Sequence, residues 1–476
     1  MQRCMYISSI FIEHEDTDFI VKFDCSIGFH LILKDFNYFS RMNATNIQKK
    51  NRQIALILIV AALGYFVDIY DLVLFGVVKA ESLTQIMHGA SEASIAATGK
   101  FLFNMQMLGM LIGGLLWGIL GDKKGRLKVL FGSILLYSVA NLANAFVTDV
   151  PTYTVIRIIA GIGLAGELGA GITLVSEMMS KEKRGYGTMI IVTFGALGAV
   201  VASLVGSKGE AIGDFLKAFS GIQFANWQVA YIIGGLMGIV LLLLRVGTME
   251  SDFFKDLKHD SSIRKGDLKL IFGNKTNLIK YLHCIVIGIP IWYVVGLLIM
   301  NSKDNFGPWL GVENVVNGTA VMYAYIGLSF GDLLSGILSQ VFKSRKLVVY
   351  LYLMFTAVIT CIFLFVLKDV SLSTYYFLCF LLGTGTGYWA IFVTIAAEQF
   401  GTNIRSTAAN TIPNFVRGSV NIITLFFGLL VAQGLTDGIA AFAVGLFFLL
   451  LALFSISKLK ETFGKDLNYI ETGEIL

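Results

Sequence analysis

The sequence predicts an all-α membrane protein with twelve transmembrane helices in two pseudo-symmetric six-helix bundles. Three observations carry this. First, 56% of the 476 residues are hydrophobic, only 14% are charged and the mean hydropathy is +0.74, whereas a soluble globular chain carries about 25% charged residues. Second, apolar segments of about 20 residues, long enough to cross a bilayer as helices, recur along the chain. Third, lysine and arginine gather in alternate loops between those segments, the bias that sets orientation in a membrane. The 50 glycines against 4 prolines suit helices that approach one another closely in lipid.

Residues 1–50 come first, expected as a cytoplasmic extension. Positions 1–41 mix Glu13, Glu15, Asp16 and Asp18 with apolar runs too short to span. They lack the basic start and following apolar run of a signal peptide. Met42 opens a basic lead containing Lys49, Lys50 and Arg52. It is expected as the native start, with 1–41 an over-extended reading.

The spans follow at 54–79, 98–120, 127–147, 152–178, 185–207, 227–247, 278–301, 316–341, 346–367, 373–397, 405–434 and 438–457. They group into an N-terminal bundle over 51–247, a polar linker over 248–277, a C-terminal bundle over 278–458 and a tail over 459–476. Basic residues fill the loops after the second, fourth, sixth and eighth spans: Lys123, Lys124, Arg126 and Lys128; Lys181, Lys183 and Arg184; six within the linker; and Lys343, Arg345 and Lys346. The opposite loops hold little beyond Lys208, Lys217, Lys303 and Lys368. The basic side, with both termini, is expected to be cytoplasmic in a bacterial inner membrane.

The halves echo each other. WGILGDKKGRLKVL (117–130) resembles SGILSQVFKSRKLVV (335–349), and Glu177 with Arg184 recurs as Glu398 with Arg405 at the same spacing of seven. Repeated halves are how many transporters build two-sided access around a midplane site. Other classes find no support. There is no P-loop or other nucleotide motif, and no H-E-x-x-H, G-x-S-x-G or clustered Cys/His to mark a membrane enzyme. The 5 cysteines show no metal-like or C-x-x-C spacing. The linker is too short to be the soluble domain of a sensor.

Ionisable residues inside spans are costly and are read as functional. Six lie deep: Asp68 and Asp71 in the first span, Arg157 and Glu167 in the fourth, Asp332 in the eighth and Arg417 in the eleventh. Asp68 and Asp71 share a helical face. Two carboxylates that close repel in a dry interior, and one proton held between them relieves both. These two and Glu167 are therefore the proton-coupling candidates. Arg417, near mid-depth beside Asn414, has the fork that grips a carboxylate. With Arg157, Asp332, Tyr388 and Trp292 these two make up the substrate-binding candidates; Gln106, Asn104, Tyr293 and Trp389 are further potential lining. Asp68 or Asp71 could instead pair with Arg157, and Asp332 with Arg417.

The loop G-x-L-G-D-K-K-G-R (Gly118, Leu120, Gly121, Asp122, Gly125, Arg126) resembles the signature of the major facilitator superfamily between its second and third helices. The resemblance covers nearly all of 50–460. It implies that Asp122 meets the start of the eleventh helix and a relay through Glu177 and Arg184. Gly118, Asp122, Gly125, Arg126, Glu177, Arg184, Glu398 and Arg405 are the gating candidates on that reading. GYFVDIYDLVLFG (64–76) and the segment 157–185 resemble the metabolite:proton symporter family, with Asp68 in place of its Glu and Ile69 in place of its Trp. The segment 401–418 departs from that family. Together these readings lead to a secondary active transporter that takes up a small zwitterionic or charged metabolite with protons. An amino acid is the first choice; an organic acid or osmolyte symporter, or a proton-antiporting drug or metabolite exporter, is the alternative. Its expected partners are that small molecule and membrane lipid, with no nucleic acid and no cofactor besides the proton, in a monomer.

Overall fold

The computed structural model describes residues 46–180, 183–208, 213–214, 217–218, 221, 223–245 and 265–471. Expectations for 1–41, for most of the linker and for Lys181 lie outside these residues. The chain divides into one unit over 1–55 and another over 56–476, and the helix contacts below belong to the second.

Among the described residues, twelve helices are long and apolar enough to cross a membrane: α1 (Ile54–Ile86), α2 (Glu92–Lys124), α3 (Arg126–Asn144), α4 (Val150–Met178), α5 (Arg184–Gly206), α6 (Asn226–Leu244), α7 (Lys275–Ile299), α8 (Asn317–Val341), α9 (Arg345–Val366), α10 (Leu372–Glu398), α11 (Arg405–Ala432) and α12 (Asp437–Lys458). No strand occurs among these residues. Each expected span is present. The ends differ where polar turns extend a helix past its apolar run. α1 continues to Ile86 rather than 79, and α2 begins at Glu92 rather than 98 because Ser91 caps it, accepting from the Ser94 amide at 3.3 Å. Caps of this kind satisfy the orphan amides of a helix start. Asp149 caps α4, Asn274 caps α7, Ser344 caps α9 and Ser371 caps α10.

The outward faces are apolar. Phe101, Leu108, Ile112 and Leu116 run exposed down one side of α2, the periodicity of a helix that meets lipid. The inward faces show the internal repeat as backbone crossings. In the first half, a Cβ on Gly109 would strike the carbonyl of Ile158, and one on Gly161 the carbonyl of Gln106. In the second half, Gly327 faces Phe380 and Gly383 faces Ala324 in the same way. α2 therefore crosses α4 as α8 crosses α10, each through a reciprocal pair of glycines with the same three-residue offset. Such crossings work only without side chains.

α4 and α10 are also both broken near mid-length. α4 turns at Ala165–Gly166 and restarts at Glu167, and α10 turns at Gly387–Tyr388 and restarts at Trp389. The halves meet where α2 packs on α11 and α5 on α8.

Candidate functional site

Three layers of buried polar residues lie along the interface and inside the first half. The central layer joins α1 to α10 and α11. An Nη2 atom of Arg417 lies 3.4 Å from Asp68 Oδ2 and 3.5 Å from the Tyr65 hydroxyl. Nη1 reaches Asn414 Oδ1 at 3.5 Å. The guanidinium stands 5.7 Å from the ring centroid of Trp389, whose indole N–H donates to Tyr65 at 2.8 Å. These groups border a cavity of about 20 Å³ lined by Tyr65, Ile69, Ile291, Trp292, Tyr325, Trp389 and Arg417 among others. That is room for about one water, so a solute requires these side chains to part. The loose Arg417 contacts and the unpartnered Asp68 Oδ1 leave both ends of this ion pair able to accept a new partner.

A second layer lies within the first half. Neither carboxylate oxygen of Asp71 has a hydrogen-bond partner, and the side chain abuts Gly234 of α6. Arg157 donates to Gln106, reaches the Tyr231 hydroxyl at 3.5 Å and stacks over Phe75 at 4.7 Å. Glu167, at the restart of α4, forms a two-pronged ion pair with Arg245.

The third layer closes the basic end. Asp122 at the end of α2 accepts from the amides of Ser406 and Thr407, at 3.0 and 2.8 Å, and from the Thr407 hydroxyl. A carboxylate there complements the positive end of α11. Gly125 turns the chain with φ +107°, a conformation that favours glycine. Glu177 binds Arg126 at 2.9 Å and Arg405 of the other half at 3.0 Å. Glu398 binds Arg345 at 3.0 Å and lies 3.9 Å from Arg184 of the other half. Gly118 faces Thr407 so closely that a Cβ would sit 2.8 Å from its Cα.

Residues 459–471 strap this end of the second half. Glu461 accepts from the amides of Arg345 and Lys346 and from the Ser344 hydroxyl. The amide of Thr402 donates to the Tyr469 carbonyl at 2.8 Å, Arg405 donates to the Leu467 carbonyl and Lys465 donates to the Glu398 carbonyl at 3.1 Å. Burial, reinforced by neighbouring Lys280, lowers the Lys465 ammonium to about 8.

Sequence reasoning placed some of these residues and misplaced others. Of the substrate-binding candidates, Arg417 and Trp292 line the cavity. Asn414 sits beside it, holding Arg417 and the Ala165 carbonyl. Arg157 faces Gln106 rather than the cavity. Tyr388 spends its hydroxyl on the Ile287 carbonyl. Asp332 accepts from the Ala390 amide at 2.8 Å at the break in α10, so the alternative Asp332–Arg417 pair does not form and Arg417 takes Asp68 instead. The relay also differs: Glu177 meets Arg126 and Arg405, and Arg184 meets Glu398. Sequence reasoning missed Arg245, Tyr65 and the strap. Tyr65 lies one turn before Asp68, so the helical face already used for Asp71 pointed to it. Arg245 lies two residues from the end of the expected span 227–247, too near its edge to count among the deep charges.

Twelve spanning helices in repeated halves, with a buried ion pair beside a cavity between them, define a membrane transporter. The chain belongs to the Major Facilitator Superfamily, whose family model matches residues 61–424. It is similar to a Bacillus subtilis protein provisionally assigned as the niacin/nicotinamide transporter NiaP, at 26% identity over 75% of this chain and 84% of that one. It is also similar to the 3-(3-hydroxy-phenyl)propionate transporter of Escherichia coli, at 27% over 53% of this chain and 58% of that one. The fold matches the proton:xylose symporter XylE with a TM-score of 0.70 at 18% identity, covering 88% of this chain and 98% of that one.

Proposed function

We infer that this protein is a proton-coupled symporter that carries a small organic acid, foremost an aromatic monocarboxylate, inward across a bacterial cytoplasmic membrane. The observation that carries this reading is the Arg417–Asp68 pair, held between the halves by Tyr65 and Trp389. An incoming carboxylate competes with Asp68 for the guanidinium, since a two-pronged contact with a carboxylate is stronger than the single long one present. Displaced from its counter-ion in a buried site, Asp68 takes up a proton rather than remain a lone charge. Solute and proton are then loaded together and leave together when the basic end opens. Trp292, Tyr65 and Trp389 supply flat apolar faces for an aromatic ring.

Asp71, unpartnered one turn deeper, is the second acid in this reading, able to hold the proton while Asp68 returns to Arg417. Glu167 is compensated by Arg245 and acts in holding α4 to α6. The gating residues shut the basic end, which the charge bias assigns to the cytoplasm, leaving the opposite end to admit solute. An amino acid fits less well, since the two relatives above are named for ring compounds bearing an acid or amide.

The test is uptake of labelled nicotinate and 3-phenylpropionate by vesicles under an imposed pH gradient. Accumulation that collapses with a protonophore, and is lost in Asp68→Asn, supports the reading. Accumulation of either acid independent of the gradient would sink the coupling; no uptake of any monocarboxylate lacking an amine, with uptake of zwitterionic amino acids, would sink the substrate class.

A further inference from the structure

α2 and α11 are in contact from the basic end as far as Leu111 and Gly418. Beyond that level they part, and a cavity of about 340 Å³ opens between them, bordered by Lys100 and Asn104 of α2 and by Asn421, Thr424 and Leu425 of α11. This is the size of an ordinary small-molecule pocket, and it lies between the halves rather than within one. Asn421 is one helical turn beyond Arg417, a rise of about 6 Å, and Asn104 is one turn beyond Lys100. One side of the cleft is therefore a ladder of polar side chains that points along α11 toward the level of Arg417, beside the apolar Leu425, Gly428 and Leu429.

Lys100 is the one charged residue among those that border the cleft. Lys100 is exposed to it and makes no ion pair within 4 Å among the described residues. The stem of Lys79 in α1 packs along Gly99 beside it, and the charges facing Lys79 are Lys100 and Asp304. The Asn421 carbonyl oxygen is buried without a partner, so its amide is oriented by no internal bond and is free to turn its N–H₂ toward an acceptor. Asp304 answers Lys79, so Lys100 is the cation left to attract an anion between itself and the asparagines.

We propose that this α2–α11 cleft is an outer subsite for the carboxylate of the transported solute: Lys100 draws the anion in, and Asn104 and Asn421 hand it to Arg417. This deepens the reading above, on which the choice of a carboxylate rests. The subsite exists only while the basic end is shut, because the same two helices cannot be splayed at both ends.

Asn421→Cys, in a background with Cys4, Cys25 and Cys361 replaced by serine, reads the cleft directly; Cys284 and Cys379 are buried. The protein is held in nanodiscs of phosphatidylcholine. The cleft predicts that anionic methanethiosulfonate ethylsulfonate reacts several-fold faster, relative to its cationic trimethylammonium counterpart, than in Lys100→Gln, with Lys100→Arg restoring the ratio. It also predicts that nicotinate or 3-phenylpropionate slows labelling. Equal reagent ratios in the parent and Lys100→Gln, with both eluting as folded protein, would overturn the subsite. So would protection that appears with phosphatidylglycerol in the disc and not with the free acids, which would make the cleft a lipid site. If the acids are accumulated by vesicles but do not protect the introduced thiol, the subsite fails and the symporter reading stands. If they protect that thiol and are not accumulated, the symporter reading fails and the subsite stands.

Discussion

Glu177 in the first half and Arg405 in the second are bonded at 3.0 Å, both buried. The repeat returns the relationship with the halves exchanged, since Glu398 in the second half faces Arg184 in the first at 3.9 Å. Each glutamate is also held within its own half by the residue that opens the preceding helix, Arg126 of α3 for Glu177 of α4 and Arg345 of α9 for Glu398 of α10. The seven-residue spacing shared by Glu177–Arg184 and Glu398–Arg405 therefore does not mark a pair. It marks two residues that each reach across to the other copy of the repeat.

Removing one charge from this cluster leaves buried arginines facing one another. Glu177→Gln should weaken closure of the basic end by about 3–5 kcal/mol, the cost of orphaning a buried ion pair. A cysteine at Ser406, buried in this structure, should then become reactive to a membrane-impermeant thiol reagent applied from the basic side. Glu398→Gln should do so less, because its cross-half contact is longer. Unchanged labelling in both variants would show that the cluster does not hold the halves together.

Gly118→Ala places a methyl 2.8 Å from the Thr407 Cα. The backbone must give way, and overpacking of this kind costs about 1–3 kcal/mol. Uptake should slow by about tenfold, each factor of ten being about 1.4 kcal/mol in a barrier. Gly318→Ala, where an added Cβ meets only Val77 Cγ1 at an ordinary 3.6 Å, is the matched control and should leave the rate unchanged.

Arg417→Lys keeps the charge and loses the fork. Its KM for an acid substrate should rise about tenfold or more while expression is unaffected. Asp68→Asn should behave differently: counterflow exchange of the acid persists, while accumulation driven by a pH gradient disappears. Equal loss of exchange and accumulation in Asp68→Asn would assign that residue to solute binding rather than to the proton.

Lys465 gives the strap a pH dependence. Its ordinary value of 10.5 falls to about 8 when docked, so the docked form disfavours the charge. Docking is then weakest below pH 8 and strengthens as pH rises from about 8 toward about 10.5, where the free strap still binds a proton that the docked one has lost. The side chain is half-exposed, so screening keeps the change modest. Proteolytic nicking of the strap should slow between about pH 7.5 and about pH 9.5, and Lys465→Met should flatten that slope. Nicking that accelerates over the same range would reverse the sign and exclude this origin.

Much of this was legible in the sequence. The twelve spans follow from composition, the Gly118–Arg126 loop could be named from its resemblance to the superfamily signature, and the deep charges because lipid makes such residues rare. The partners could not. Whether Arg417 meets Asp332 or Asp68 depends on how two bundles are set against each other, and both pairings satisfy the same charge count. Arg245 was hidden because a cation near the end of a span is ordinarily read as reaching for the interface, and nothing in the sequence places Glu167 beside it. The breaks in α4 and α10 were equally hidden, since glycine serves both as a packing residue and as a break.

The strap over 459–471 has a consequence for how the protein is made. The amide of Thr402 and the guanidinium of Arg405 find their partners in Tyr469 and Leu467, beyond all twelve helices in the order of synthesis. A ribosome delivers those residues only after α12 has entered the bilayer. Until then the start of α11 lacks these acceptors, and the basic end cannot be completed. The nascent chain is thus kept from forming a finished barrier until every helix that must lie behind it has been inserted. A bulky fusion placed immediately after α12 should therefore impair maturation more than one placed beyond the strap.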